Sequence, residues 1–469
     1  MKKSISVVVL ICFICLTFSG CFFWRGESER EIEINESVNK IYYDLKKHLH
    51  DPGDLDAIND YLISWAAAQN IPVSYDNHKN IIMSKKATHG HEDDETTLLQ
   101  CSIGIPDIKN YEAVASTLFM MKNLEEHGFL RALFTADTNE DYSGSENISA
   151  SYLDADRIIS IIQDNKTTFA TQSAAIQNYS FVKNFTMSSP IGTQALEITI
   201  GPFPYDSSGK IYGKHPNPIK ELGDFFAYAK SKGIAIELVN FNGGNSIYTY
   251  PEFAKATFVI SATDVNKFKK YFDKSAAKFS KTYESLLENS PFVYNYAAVS
   301  LPNQVIPREQ STHIFSLLYT MINGSFQKDE EDIPISNTVV TQISGDNTSL
   351  TLNVCARAKS ESDFEQITST LQIIAGLNDS EFNILNNFPA WQQESDSEIY
   401  NEYEEIYSNV MKKDLEAKAS LNSSPIAIFK EKNSKLDALC LSVNFSNNVI
   451  ELEILEKLLT GNSPNMLSL

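Results

Sequence analysis

Apolar positions along the chain alternate between short continuous runs and longer stripes with helical period, most clearly from Leu98 to Ser160. Residues 98–100 and 129–136 are apolar runs bounded by polar turns, which predicts buried strands. Between them, residues 111–123 carry Ala113, Val114, Thr117, Leu118 and Met121 at helical spacing, and residues 158–162 form a third buried run. Strand, helix, strand, loop, strand is the core of an α/β sheet, a fold whose strand ends are the usual place for chemistry. Upstream, residues 38–48 and 54–69 predict amphipathic helices, the second presenting Leu55, Ile58, Tyr61, Leu62 and Trp65 on one face. Residues 73–75 and 80–83 predict a hairpin. Downstream, strands are expected at 196–200, 338–344, 349–358 and 439–443, and helices at 219–232, 363–375, 398–411 and 452–460.

The N-terminus reads differently. Lys2 and Lys3 precede an apolar run over residues 5–18, short for a bilayer span, and Ser19-Gly20 precede Cys21. Residues 1–20 are therefore expected to be a secretory signal peptide, and Phe18-Ser19-Gly20-Cys21 resembles a bacterial lipobox. The implied product begins at a lipid-modified Cys21, whose acyl chains hold it to the bilayer of the cell envelope, outside the cytoplasm. Residues 21–35 are expected to be an irregular tether. Cys101, Cys355 and Cys440 then remain, an odd number that cannot form a complete disulfide framework. The formal net charge of −21 becomes two units more negative once Lys2 and Lys3 leave, so no nucleic-acid partner is expected. With 27 Phe and 21 Tyr the chain has ample material for packed cores. His89-Gly90-His91, followed by Glu92, Asp93 and Asp94, could ligate a metal, but its polar surroundings favour a solvated loop.

Several stretches carry a resemblance. His127 to Asp137 reads HG-x-L-x-A-L-F-T-x-D and is followed by Ser143-Gly144. Residues 76–82 read D-x-x-x-N-I-I, Phe388-Pro389-x-Trp391 stands for Y-P-G-W, and Ser208-Gly209-x-Ile211 leads into Gly213-Lys214-x-Pro216-Asn217. Over nearly the whole mature chain these resemble the Xaa-His dipeptidases (aminoacylhistidine dipeptidases), which are two-zinc peptidases. The resemblance implies an α/β fold: a zinc-peptidase-like mixed sheet flanked by helices, carrying an inserted α/β, ferredoxin-like lid. The catalytic-type domain would comprise residues 36–170 and 378–462, with the lid at 171–377. A homodimer through the lid is among the arrangements it suggests.

The same resemblance locates the zinc ligands, and there the chain departs from it. The first His and Asp would be Ser102 and Gly104, the general-base Glu and its neighbouring ligand Thr138 and Asn139, and a later Asp Ile162 or Gln163. The last His falls near Ala419, and no histidine occurs beyond His313. The lid His is Ser207, while the Asn and Arg that would grip a substrate are Tyr248 and Glu252. Arg357 keeps the place of a family Arg; an exposed strand Arg is the other reading. If the ligands have moved rather than vanished, Asp107, Glu140 and Asp141 are the candidates. The expected protein is a membrane-anchored, non-catalytic homologue that binds a peptide or protein partner and needs no cofactor. The alternative is a zinc-dependent dipeptidase with rearranged ligands. A transporter's substrate-binding lipoprotein ranks last, since its two-lobe pattern is not seen.

Overall fold

The computed structural model describes residues 29–49, 54–104, 110–137, 142–163, 167–203, 215–287, 291–419, 421–443 and 449–460. Cys21 lies outside these residues, as do Asp107, Thr138, Asn139, Glu140, Asp141 and Ser207. Two nine-stranded sheets, both flanked by helices, organise the rest.

The first sheet takes β1 (Val73–Tyr75), β2 (Ile81–Lys85), β3 (Thr97–Ser102), β4 (Leu130–Thr135), β5 (Arg157–Gln163) and β6 (Thr168–Ser173) from the front of the chain. It takes β16 (Trp391–Gln392), β17 (Ala417–Ala419) and β18 (Asp437–Val443) from the back. Its order is β1-β2-β4-β3-β5-β18-β6-β16, with β17 beside β6. β4, β3, β5 and β18 are parallel, so their carboxyl ends share one edge. The chain leaves β3 toward β4 and later returns to its other side as β5, which makes the end of β3 a switch point where a crevice is expected.

Helices cover this sheet because each has one apolar stripe. α1 (Glu29–His48) buries Ile34, Val38 and Leu45, and α2 (Leu55–Ala68) buries Ile58, Tyr61, Leu62 and Ala66. Asp54 caps α2 by accepting from the backbone N–H groups of Asp56 and Ala57. α1 starts at Glu29, within the stretch expected to be an irregular tether, because Ile34 and Val38 continue its buried stripe toward the N-terminus. α3 (Asn110–Asn123) links β3 to β4, and Tyr111, Ala113, Val114, Leu118 and Met121 lie in the core.

The second sheet comprises β7 (Ala175–Asn184), β8 (Gln194–Gly201), β9 (Glu237–Gly243), β10 (Ala254–Ile260), β11 (Val293–Ala298), β12 (Gly324–Lys328), β13 (Pro334–Gly345), β14 (Ser349–Ala358) and β15 (Glu381–Phe388). Its order is β11-β8-β10-β9-β13-β14-β7-β15, with β12 beside β13. Its helices are α4 (Pro218–Ser231), α5 (Val265–Thr282), α6 (Arg308–Thr320) and α7 (Phe364–Leu377). Phe225, Phe226, Phe258, Phe268 and Phe315 form its core. The chain crosses between the sheets at 173–175 and 388–391, later than the expected 170 and 377. The return is displaced because β15 extends antiparallel along β7, from Glu381 opposite Val182 to Phe388 opposite Ile176. After it come α8 (Glu398–Met411), α9 (Pro425–Lys432) and α10 (Val449–Leu459), which pack on the first sheet.

Candidate functional site

The carboxyl ends of β3 and β4 converge on Asp137. Period two along β3 puts Gln100 and Ser102 on one face, and register pairs Ser102 with Thr135 and Gln100 with Ser160. Asp137 is fully buried and lies two residues past β4. Its Oδ2 accepts from the hydroxyls of Thr135 at 2.5 Å, Ser145 at 2.7 Å and Ser102 at 3.2 Å, and its Oδ1 from the Ser145 backbone N–H at 2.8 Å. Gln100 donates its amide to Thr135 at 2.9 Å and to Ser102 at 3.2 Å, and accepts from the Ser160 hydroxyl at 2.6 Å. Burial pushes the Asp137 carboxyl above its ordinary pKa, against the downward pull of these donors.

The loop that supplies Ser145 is pinned to the sheet by Asn80. The Asn80 amide donates to the Gly144 carbonyl at 2.9 Å and to Asp76 at 2.7 Å, while its oxygen accepts from Ala136 N–H at 2.9 Å. This explains the D-x-x-x-N and Ser-Gly motifs as one structural unit. A Cβ on Gly144 would stand 2.5 Å from Ala136 N and 2.6 Å from Asn80 Oδ1, so only glycine admits this approach.

An aromatic cap stands beside the network. Tyr142 hydrogen-bonds to the Ser423 hydroxyl at 2.9 Å and meets Phe388 edge-on at 5.6 Å. Tyr142 and Ile428 from the first unit pack with Ile176, Cys355 and Phe388 from the second. Burial, and then the nearby charge of Asp137, raise the Tyr142 pKa. Arg357 also reaches across. It is completely buried rather than exposed on a strand, because both faces of β14 are covered, and its Nη1 donates to the Leu421 carbonyl at 3.1 Å. Burial lowers its pKa to about 9.

The structure thus brings together Ser102, Asp137 and Ser145, with Arg357 and Tyr142 at the junction of the two sheets. Of the candidates named from the sequence, Asp107, Glu140 and Asp141 lie outside the described residues. His91 pairs with Asp94 at 2.6 Å in an exposed loop, the solvated arrangement expected of that segment. Gln100, Ser145 and Tyr142 are not legible as site residues from the sequence; the available signal is a lone acid ending an apolar strand.

No family model matches the chain. A curated relative, the cytosol non-specific dipeptidase of Escherichia coli, is 21% identical over 428 residues, covering 81% of this chain and 86% of that protein. Among solved structures, the aminoacylhistidine dipeptidase of Vibrio alginolyticus aligns with a TM-score of 0.63 at 18% identity, over 91% of this chain and 96% of that one. The fold is that of the aminoacylhistidine dipeptidases. A tripeptidase of Staphylococcus aureus is also similar, with a TM-score of 0.52 at 10% identity, over 92% of this chain and 98% of that one. Sequence and structure neighbours point the same way as the motifs, toward Xaa-His dipeptidases and their inserted lid.

The resemblance implies a zinc pair, whose alternative ligands Asp107, Glu140 and Asp141 lie outside the described residues. Ser102, which the resemblance sets at the first ligand place, directs its neutral hydroxyl at Asp137. Among the described residues, no three His, Cys, Asp or Glu side chains converge as a metal site.

Proposed function

We propose that this protein is a membrane-anchored, non-catalytic homologue of the Xaa-His dipeptidases that binds a peptide or protein partner outside the cytoplasm. The observation that carries this reading is the closed network around Asp137. Where the resemblance calls for a metal-binding His, Ser102 donates to a carboxylate that three further donors also satisfy. The Oδ2 of Asp137 is thereby fully engaged by the protein. The dipeptidase names of the relatives make a short peptide the favoured ligand class.

The anchoring part rests on Lys2, Lys3, the apolar run and Cys21. Among the described residues no helix is long and apolar enough to cross a membrane. The Escherichia coli relative is named as a cytosolic enzyme, whereas this reading sets the present protein outside the cytoplasm.

The test uses the full chain in detergent. Bound zinc is measured, and histidine release from Xaa-His dipeptides is followed with added zinc, manganese or cobalt. Background hydrolysis is expected throughout. Metal-dependent turnover at ordinary enzyme rates, lost in Asp107→Asn or Glu140→Gln, would instead establish a dipeptidase with relocated ligands.

A further inference from the structure

The fold fixes where α1 begins relative to the strand ends. Arg30, in the first turn of α1, donates to Glu456 of α10 at 2.7 Å. α10 follows β18, which ends at the carboxyl edge of the sheet, and runs back toward the opposite edge. Arg30 and Glu33 share a surface hollow with Leu124, Glu125, Glu126, Glu453 and Thr460. Leu124, Glu125 and Glu126 immediately precede β4, so this hollow lies at the amino ends of the parallel strands. Asp137 and the turn between β1 and β2 lie at the other end, because Ile81 pairs with Phe134 and Lys85 with Leu130. α1 itself is 20 residues, about 30 Å, long.

Resting on the lipoprotein reading above, we propose that the end of the molecule bearing Arg30, Glu33, Glu126 and Glu456 faces the lipid surface, and that the Asp137 end points away from it. The eight steps from Cys21 to Glu29 reach at most about 28 Å, so a lipid on Cys21 holds this end close. Chemically this face is unsuited to headgroup binding. Glu33, Glu125, Glu126, Glu453 and Glu456 outnumber Arg30 and Lys457, so it is repelled by anionic lipid and held by acyl chains alone. The Asp137 end is thereby presented to the aqueous space.

Labelling can test this because Cys101, Cys355 and Cys440 are all buried, leaving an introduced thiol as the reactive one. Full-length lipidated protein carrying Glu126→Cys or His78→Cys, two exposed turn positions at opposite ends, is labelled with a fluorophore and reconstituted on vesicles containing a headgroup-linked quencher. The expected result is several-fold stronger quenching at position 126 than at position 78. Quenching at 126 should also weaken when phosphatidylglycerol replaces zwitterionic lipid at low salt. Equal or reversed quenching on protein that sediments with the vesicles overturns the orientation while leaving the anchor intact. Failure to sediment removes the anchor, and the orientation with it.

Discussion

A single buried carboxylate organises the candidate site, and its neighbours are chosen to donate. Replacing Asp137 with Ala would leave the Ser145 N–H and the Thr135 hydroxyl without an acceptor in a dry interior. That should cost about 3 kcal/mol, read as a lower urea midpoint with an unchanged slope. A second buried residue sets an acid limit. His127 donates through Nδ1 to the Gly128 carbonyl at 2.6 Å, and its Nε2 finds no hydrogen-bond partner among the described residues. Burial lowers its pKa below 6.5, and Lys85 and His91 add to the effect. The unfolded chain therefore binds the proton more readily than the folded one, and stability should fall as pH drops below about 6.5. His127→Gln should flatten that part of a melting-temperature profile; an unchanged slope would assign the acid sensitivity to other groups.

At the level of elements, the loop after β4 depends on one close approach. Gly144→Ala drives a Cβ into the backbone of Ala136, and neither strand nor loop can yield cheaply. A loss of about 1–3 kcal/mol is expected, measured by thermal denaturation beside a neutral surface control. β3, α3, β4 and β5 are readable in the sequence because their apolar periods match their burial, and the Ser-Gly and Asn motifs fall where the loop is pinned. Arg357 is not readable: a strand covered on both faces has no polar side, so period two cannot say whether an Arg points out or in. The hydroxyl network is hidden for a related reason. Gln100, Thr135 and Ser160 look like ordinary strand polars until register links Ser160 to Gln100, Gln100 to Thr135 and Thr135 to the Asp137 carboxylate. β15 lies on the far side of the expected return crossover because its mixed pattern carries no mark of which sheet it joins.

Among the described residues, the two sheets meet at a junction that includes Tyr142, Phe388 and the Arg357–Leu421 hydrogen bond. Phe388→Ala removes the ring that packs on Tyr142 and Tyr248, and should cost about 3–4 kcal/mol, seen as a lower melting temperature. At the same scale, Cys21→Ser should shift the protein from the membrane fraction to the soluble fraction, or leave it unprocessed; unchanged processing and retention would count against a lipid anchor. The interleaving of the sheets also orders the folding of the chain. β18 sits in the middle of the first sheet between β5 and β6, yet it is made last, after every strand of the second sheet. The second sheet is contiguous in sequence and can close on its own. The first must wait with β5 unpaired on one side, an open edge of the kind that recruits wrong partners. In refolding of the complete chain the long sequence separation between Arg157 and its partner Asp437 slows the same pairing, so pulse-labelling hydrogen exchange should find β8, β10 and β13 protected before β5. A newly made chain would spend that interval with one edge of β5 uncovered.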